Sequence, residues 1–226
     1  MPVISFASSK GGAGKTTSAI VLGTTLAHHA SVAFIDADQG RNLTEWFAIL
    51  PVPNAILIES RGERHIQDEI DRARGKASVV IVDLEGIASR TNAYAMIESD
   101  LILVPCMEGQ QEVRKAIATL KEIEREARAI RRDLPHAVLI VDSPPAQNFR
   151  TKMGRMLNEG MRSATQVMRT ELHHWASVEA LHNEGGGLQE LDPRDYRTLS
   201  RAAENAEAFA SEVLALIKEA QHAEAV

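Results

Sequence analysis

A chain of 226 residues, 44% of them hydrophobic, is long enough to bury one core and reads as a single domain over 1–226. A single cysteine, Cys106, excludes an internal disulfide and a paired-cysteine metal site, and no run is apolar enough to cross a bilayer. The net charge of −6 is uneven: residues 1–113 carry nine Lys/Arg against fourteen Asp/Glu, residues 114–169 twelve against six, and residues 170–226 four against eleven.

Strand-like runs alternate with helical ones along the chain. VISFAS at the start leaves no room for a signal peptide, and a cytoplasmic protein is expected. A helix over about 15–29 follows, then SVAFID and a short helix near Leu43–Leu50. AILIES precedes the polar helix RHIQDEIDRARG; SVVIVD and DLILVPC flank a helix of about 90–98. A long helix of about 110–131 leads to HAVLIVDS, and further helices are expected after Asn148 and in AAENAEAFASEVLALI. Such alternation predicts an α/β fold: a mostly parallel, twisted sheet with helices on both faces. Ligands of such sheets sit at the carboxyl ends of the strands.

The turn between the first strand and first helix reads SSKGGAGKTT, Ser8 to Thr17. A strand, a glycine turn and a helix start form the frame of a phosphate-binding loop. Gly11, Gly12, Ala13 and Gly14 offer backbone N–H groups as an anion nest. Lys15 reaches the terminal phosphates, the Thr16 hydroxyl is placed for Mg²⁺, and Thr17 completes the loop. Ser9 stands where the usual pattern has its first glycine.

The run K-G-G-x-G-K-T-T resembles the deviant Walker A loop of the ParA/MinD family of P-loop ATPases. The resemblance implies that Lys10 reaches across a homodimer to the partner's nucleotide, so that Lys10 and Lys15 both serve catalysis. A cation supplied in trans offsets like-charge repulsion worth about 4 kcal/mol per pair at about 4 Å and an effective dielectric of about 20. The stretch IDADQGRN resembles the family's first switch, without its proline. By that match Asp38 orients the attacking water and Asp36 supports Mg²⁺ through water. Asp83, ending VVIVD, resembles a Walker B aspartate that binds Mg²⁺ through water. L-E-G then replaces the usual T-P-P or T-P-G; Glu85 is either a neighbour of metal-bound water or a solvated acid, and Gly86 keeps the flexible position. This D-L-E-G, with the late GGGLQEL, is similar to small ParA-like proteins related to VirC1.

For the base, VDSPPAQN offers Asp142 or Ser143, against a purely structural turn at Pro144–Pro145. The adjacent pairs His28–His29 and His173–His174 diverge and form no metal site. Trp46 and Trp175 read as packing residues.

The basic island decides among functions. Arg150, Lys152, Arg155, Arg162 and Arg169 meet one acid, Glu159, within residues 148–169. A local excess of this kind is the footprint of duplex DNA bound without sequence preference. Arg155 and Arg162 lie two helical turns apart and are expected on one face. The family resemblance then implies an ATP-bound dimer that coats DNA and is released when a ParB-like adaptor stimulates slow hydrolysis. The alternatives are positioning on a protein or membrane surface in the manner of MinD, and service to a DNA-transfer complex. A membrane role is not expected, because the tail SEVLALIKEAQHAEAV offers one lysine, Lys218, among acids.

Overall fold

The computed structural model describes residues 1–86, 89–146 and 151–224. Seven parallel strands form one sheet: β1 (Val3–Phe6), β2 (Val32–Ala37), β3 (Ala55–Glu59), β4 (Val79–Leu84), β5 (Leu101–Cys106), β6 (His136–Ser143) and β7 (Leu172–His173). Their spatial order is β3-β2-β4-β1-β5-β6-β7. The helices are α1 (Lys15–Ala27), α2 (Asn42–Ile49), α3 (Ile66–Arg74), α4 (Arg90–Ile97), α5 (Gln110–Ile130), α6 (Lys152–Ala164), α7 (Ala176–Glu184) and α8 (Leu199–Glu224).

The central strands are largely apolar because both faces are covered. Ile4, Phe6, Phe34 and Ile81 face one core, which α1, α2 and α8 close with Leu22, Trp46 and Phe209. Val3, Ile35, Val80 and Val82 face the other, closed by Ile70 of α3, Met96 of α4 and Ile123 of α5. Trp46 is held edge-on to Phe34, ring centroids 5.4 Å apart, and its indole N–H donates to the Gly186 carbonyl at 3.1 Å. Cys106 is buried at the end of β5, its thiol pushed up to about 12 by burial and then by Glu112.

The strands of the central sheet follow the sequence prediction closely. The sequence did not announce β7, only two residues long, or α7 behind it. The register brings the acidic strand ends together: Asp36 of β2 pairs with Asp83 of β4, which pairs with Phe6 of β1 just before the glycine loop. All three predicted aspartates therefore gather at one edge, beside the start of α1.

Candidate nucleotide site

The glycine loop is built to leave donors open. Gly14 caps α1 in the left-handed region, φ 86°, with no side-chain cap on the helix. The first intrahelical bond runs from Ser18 N–H to the Gly14 carbonyl, so the N–H groups of the first turn point to a ligand. The Ser8 hydroxyl donates to the Lys10 carbonyl at 2.7 Å, and that of Ser9 to the Lys115 carbonyl on α5 at 3.1 Å. Those two bonds fix the loop's outer limb. Gly11 and Gly12 are exposed, and Ala13 is buried beneath them.

The two lysines lie in different environments. Lys15 is buried, its Nζ 3.8 Å from Asp38 Oδ2. Lys10 is exposed and has no ion pair among the described residues. Asp38 also accepts the Gly40 N–H through Oδ1 at 2.8 Å, so it is anchored at the tip of β2 with one oxygen toward the lysine.

Asp83 is fully buried, and its Oδ2 accepts the Thr16 hydroxyl at 2.5 Å. Its Oδ1 is buried without a hydrogen-bond partner. Burial pushes the carboxyl up to about 7; the Thr16 hydroxyl and Lys15 charge oppose that rise, while Asp36 and Asp38 add to it. A bare carboxylate oxygen beside a hydroxyl is the donor set of a hard divalent cation. Asp36 is placed differently. Its Oδ2 accepts the Thr44 N–H at 2.9 Å and the Thr44 hydroxyl at 2.6 Å, and its Oδ1 the Asp38 N–H at 3.2 Å. Both oxygens therefore hold the first turn of α2 and the bend after β2.

Gly86 lies against the glycine loop. A Cβ here would stand 2.4 Å from the Gly11 nitrogen and 2.5 Å from the Lys10 carbonyl carbon, so no side chain fits unless backbone moves. Gly86→Ala is expected to weaken nucleotide binding at least about tenfold while costing the fold about 1–3 kcal/mol, the usual range for overpacking. Nucleotide titration alongside thermal unfolding separates the two, and unchanged affinity would count against a closed contact here. Glu85 is half-buried; its carbonyl accepts Asn92 Nδ2 at 3.0 Å. With Asp38, Arg41 and Arg61 it lines a hollow of about 250 Å³ beyond the aspartates.

On the opposite side of the loop, Gly14 and Thr17 open onto a cavity of about 320 Å³. Asp142 lies on its wall. It occupies a register shift between β6 and β7 at φ 56°, a conformation aspartate tolerates, and this turns its carboxylate out of the sheet. Oδ1 accepts from His174 Nδ1 at 2.6 Å, and this bond is the chief reason the imidazole is raised above its ordinary value. Ser143, by contrast, is buried and bonded to His173 at 2.9 Å. Trp175, Val178 and His182 of the α7 segment complete the wall. Of the histidines of this cavity, His173 and His174 are weighed in the sequence only as metal ligands, and His182 goes unread, because the wide spacing between the loop and α7 gives no local signal. Trp175 both packs and lines the cavity.

The basic island is less free than its composition suggests. Lys152 and Arg155 are exposed on α6. Arg162 is exposed as well, but its guanidinium is engaged: it donates to Asn158 Oδ1 (2.7 Å), the Met168 carbonyl (2.8 Å) and Glu171 Oε1 (3.0 Å). Glu171 is buried, and a buried carboxylate holds a cation beside it. Arg155 and Arg162 are both exposed and line one hollow with Arg169, as their spacing leads one to expect, but Arg162 is already engaged by Glu171. Arg169 is exposed, its Nε 3.7 Å from Glu212. Arg150 lies outside the described residues.

Comparison with known proteins agrees with this geometry. The model of the VirC1 protein family matches residues 1–188. A protein named ParA from Rhizobium radiobacter is 35% identical over 97% of this chain and 99% of its own length. Protein virC1 of the same organism is 28% identical over 82% of each chain. Among solved structures, the ATP complex of Cyanothece McdA superposes with a TM-score of 0.71 at 20% identity, covering 98% of this chain and 96% of that one. A family match over most of the chain and a ParA relative matched over nearly its full length lead to one assignment: the chain belongs to the VirC1 family, on the ParA/MinD-type P-loop fold.

Proposed function

We propose that the protein is an ATPase that partitions or positions DNA, switching between an ATP-bound dimer on duplex DNA and a released form after hydrolysis. The observation that carries the reading is the division of labour between the lysines. Lys15 is buried on its own Asp38, whereas Lys10 is exposed at the rim of the same loop, where a second protomer would be reached. The ParA relative and the ATP complex of Cyanothece McdA support the same reading.

In this reading the N–H groups of Gly11–Thr17 and Lys15 hold the phosphates, and Asp142 meets the edge of the base. Mg²⁺ would be held by the Thr16 hydroxyl and, through water, by Asp83 and Asp36, and when bound it neutralises phosphate charge. Asp38 orients the attacking water. With positioning as the main contribution, hydrolysis is slow until an adaptor of ParB type binds. The protein then works in the cytoplasm on the nucleoid. No described helix is long and apolar enough to cross a membrane, and α8 bears Lys218 among acids. The family also leaves room for service to a DNA-transfer complex, as the virC1 relative's name belongs to the same model.

DNA binding is expected to rest on Lys152 and Arg155, joined by Arg150 and Arg169, and to be doubled by dimerisation. Two unrelated duplexes should bind equally, more tightly with ATP than with ADP. Replacing Lys152 and Arg155 by Glu should weaken both alike and flatten the salt slope by about 0.9 for each phosphate that is no longer neutralised. Arg162 is left intact, because its loss would unsettle Glu171. Parent protein that ignores DNA in the presence of ATP would move the reading to positioning on a protein or membrane surface.

A further inference from the structure

We propose that His182 of α7 is a nucleotide-binding residue, meeting the bound nucleotide at the junction of its phosphates and its sugar. The inference rests on the ATP-binding reading and adds to it a contact from outside the glycine loop.

Three placements converge. Thr17 stands at that junction: Lys15 and Thr16 turn toward Asp38 and Asp83, whereas Gly14 and Thr17 line the 320 Å³ cavity. The Thr17 hydroxyl is 2.8 Å from His182 Nε2, a contact made across 165 positions of sequence. Along α7, Val178, Glu179 and His182 repeat at helical spacing and face the same cavity, so one face of this helix is its outer wall. The helix is also held firmly. Behind it, the glycine turn presses on α2: a Cβ at Gly185 would come within 2.6 Å of the Leu50 nitrogen. Its neighbour Gly186 accepts the Trp46 indole. The imidazole is thus delivered to the P-loop by a fixed element.

The chemistry fits an anion. Burial lowers His182 below the ordinary imidazole value, so the resting ring is neutral and offers one donor and one acceptor. A phosphate oxygen arriving at Thr17 gains an N–H donor there, and its charge favours the imidazolium. The other charged or titratable groups on this cavity are Glu179 of α7, Asp142 of β6, His173 of β7 and His174 just after it; α1 and α8 present only uncharged residues to it.

The rival role is a structural brace between α7 and α1. Binding of ADP in EDTA, from about pH 5.5 to 8.5, separates the two, since no metal takes part. Nucleotide binding should raise the pKa of His182, so protons are taken up on binding. Affinity of the parent should then climb as pH falls through the imidazole range. His182→Ala should weaken ADP and ATP by the same factor, about tenfold, because the contact lies in the part common to both. His182→Gln should recover much of the affinity without the extra pH dependence. The ligand's own phosphate titrates against both proteins and cancels in the difference, and His174→Gln subtracts the neighbouring imidazole. Parent-like affinity and pH profile in His182→Ala overturn the proposal, as does a loss of apoprotein melting temperature with the pH profile kept. A parent that binds no ADP overturns the ATP-binding reading and this contact with it.

Discussion

Lys15→Ala is expected to lose ATP and ADP binding by about three orders of magnitude while remaining folded. A lysine about 4 Å from a phosphate is worth about 4 kcal/mol at an effective dielectric of about 20, and each 1.4 kcal/mol is about tenfold in affinity. The fold should survive for a reason visible in Asp83. Lys15 is one of the influences that lower its carboxyl, which burial already lifts to about 7. Without the lysine the carboxyl rises further and takes a proton at neutral pH, so no bare charge is stranded in the core. The sign follows from linkage. A carboxyl whose folded pKa exceeds its unfolded value favours the fold at low pH, and that contribution is lost as pH climbs toward the folded value. Removing Lys15 extends the favourable range upward. Thermal unfolding of the apoprotein should therefore change little, whereas the rise in melting temperature given by ATP should vanish. Retention of that rise would refute the P-loop assignment.

The second large effect is expected at Asp38. Asp38→Ala should bind ATP nearly as tightly as the parent and hydrolyse it at least about 100-fold more slowly, the scale of a misplaced reactant. In the structure Asp38 is fixed through Gly40 and pairs only loosely with Lys15, at 3.8 Å. Its removal frees the lysine for phosphate without disturbing α2, because Asp36 alone carries the Thr44 contacts. Trapped nucleotide should lengthen the life of the ATP dimer, observable by size-exclusion chromatography. Hydrolysis at the parental rate would remove Asp38 from the water-orienting role.

The glycine loop and the acidic strand ends were legible because their chemistry is local. SSKGGAGKTT holds strand end, nest and lysine in consecutive residues, and Asp36, Asp38 and Asp83 close runs whose apolar character marks them as buried strands. What stayed hidden depends on side-chain paths and distant partners. Helical spacing put Arg155 and Arg162 on one side of α6, where both line one hollow, but it could not tell that the guanidinium of Arg162 is bonded to a buried Glu171 that no pattern advertised. Asp36 reads as a support for Mg²⁺ through water, and the sequence does not announce its bonds to Thr44. Asp142 was readable as a candidate, its outward aim was not, since that comes from a backbone at φ 56°. His182 had no signal at all: its partner lies at the other end of the chain.

Cys106 has a practical corollary. With its sulfur closed inside the sheet and its thiol pushed up to about 12, it carries almost no thiolate at neutral pH. To an alkylating dye or a cross-linker, the native chain therefore behaves as though it had no cysteine. A thiol introduced on an exposed surface would react alone, so fluorescent tracking of this protein needs no prior stripping of its own sulfur chemistry.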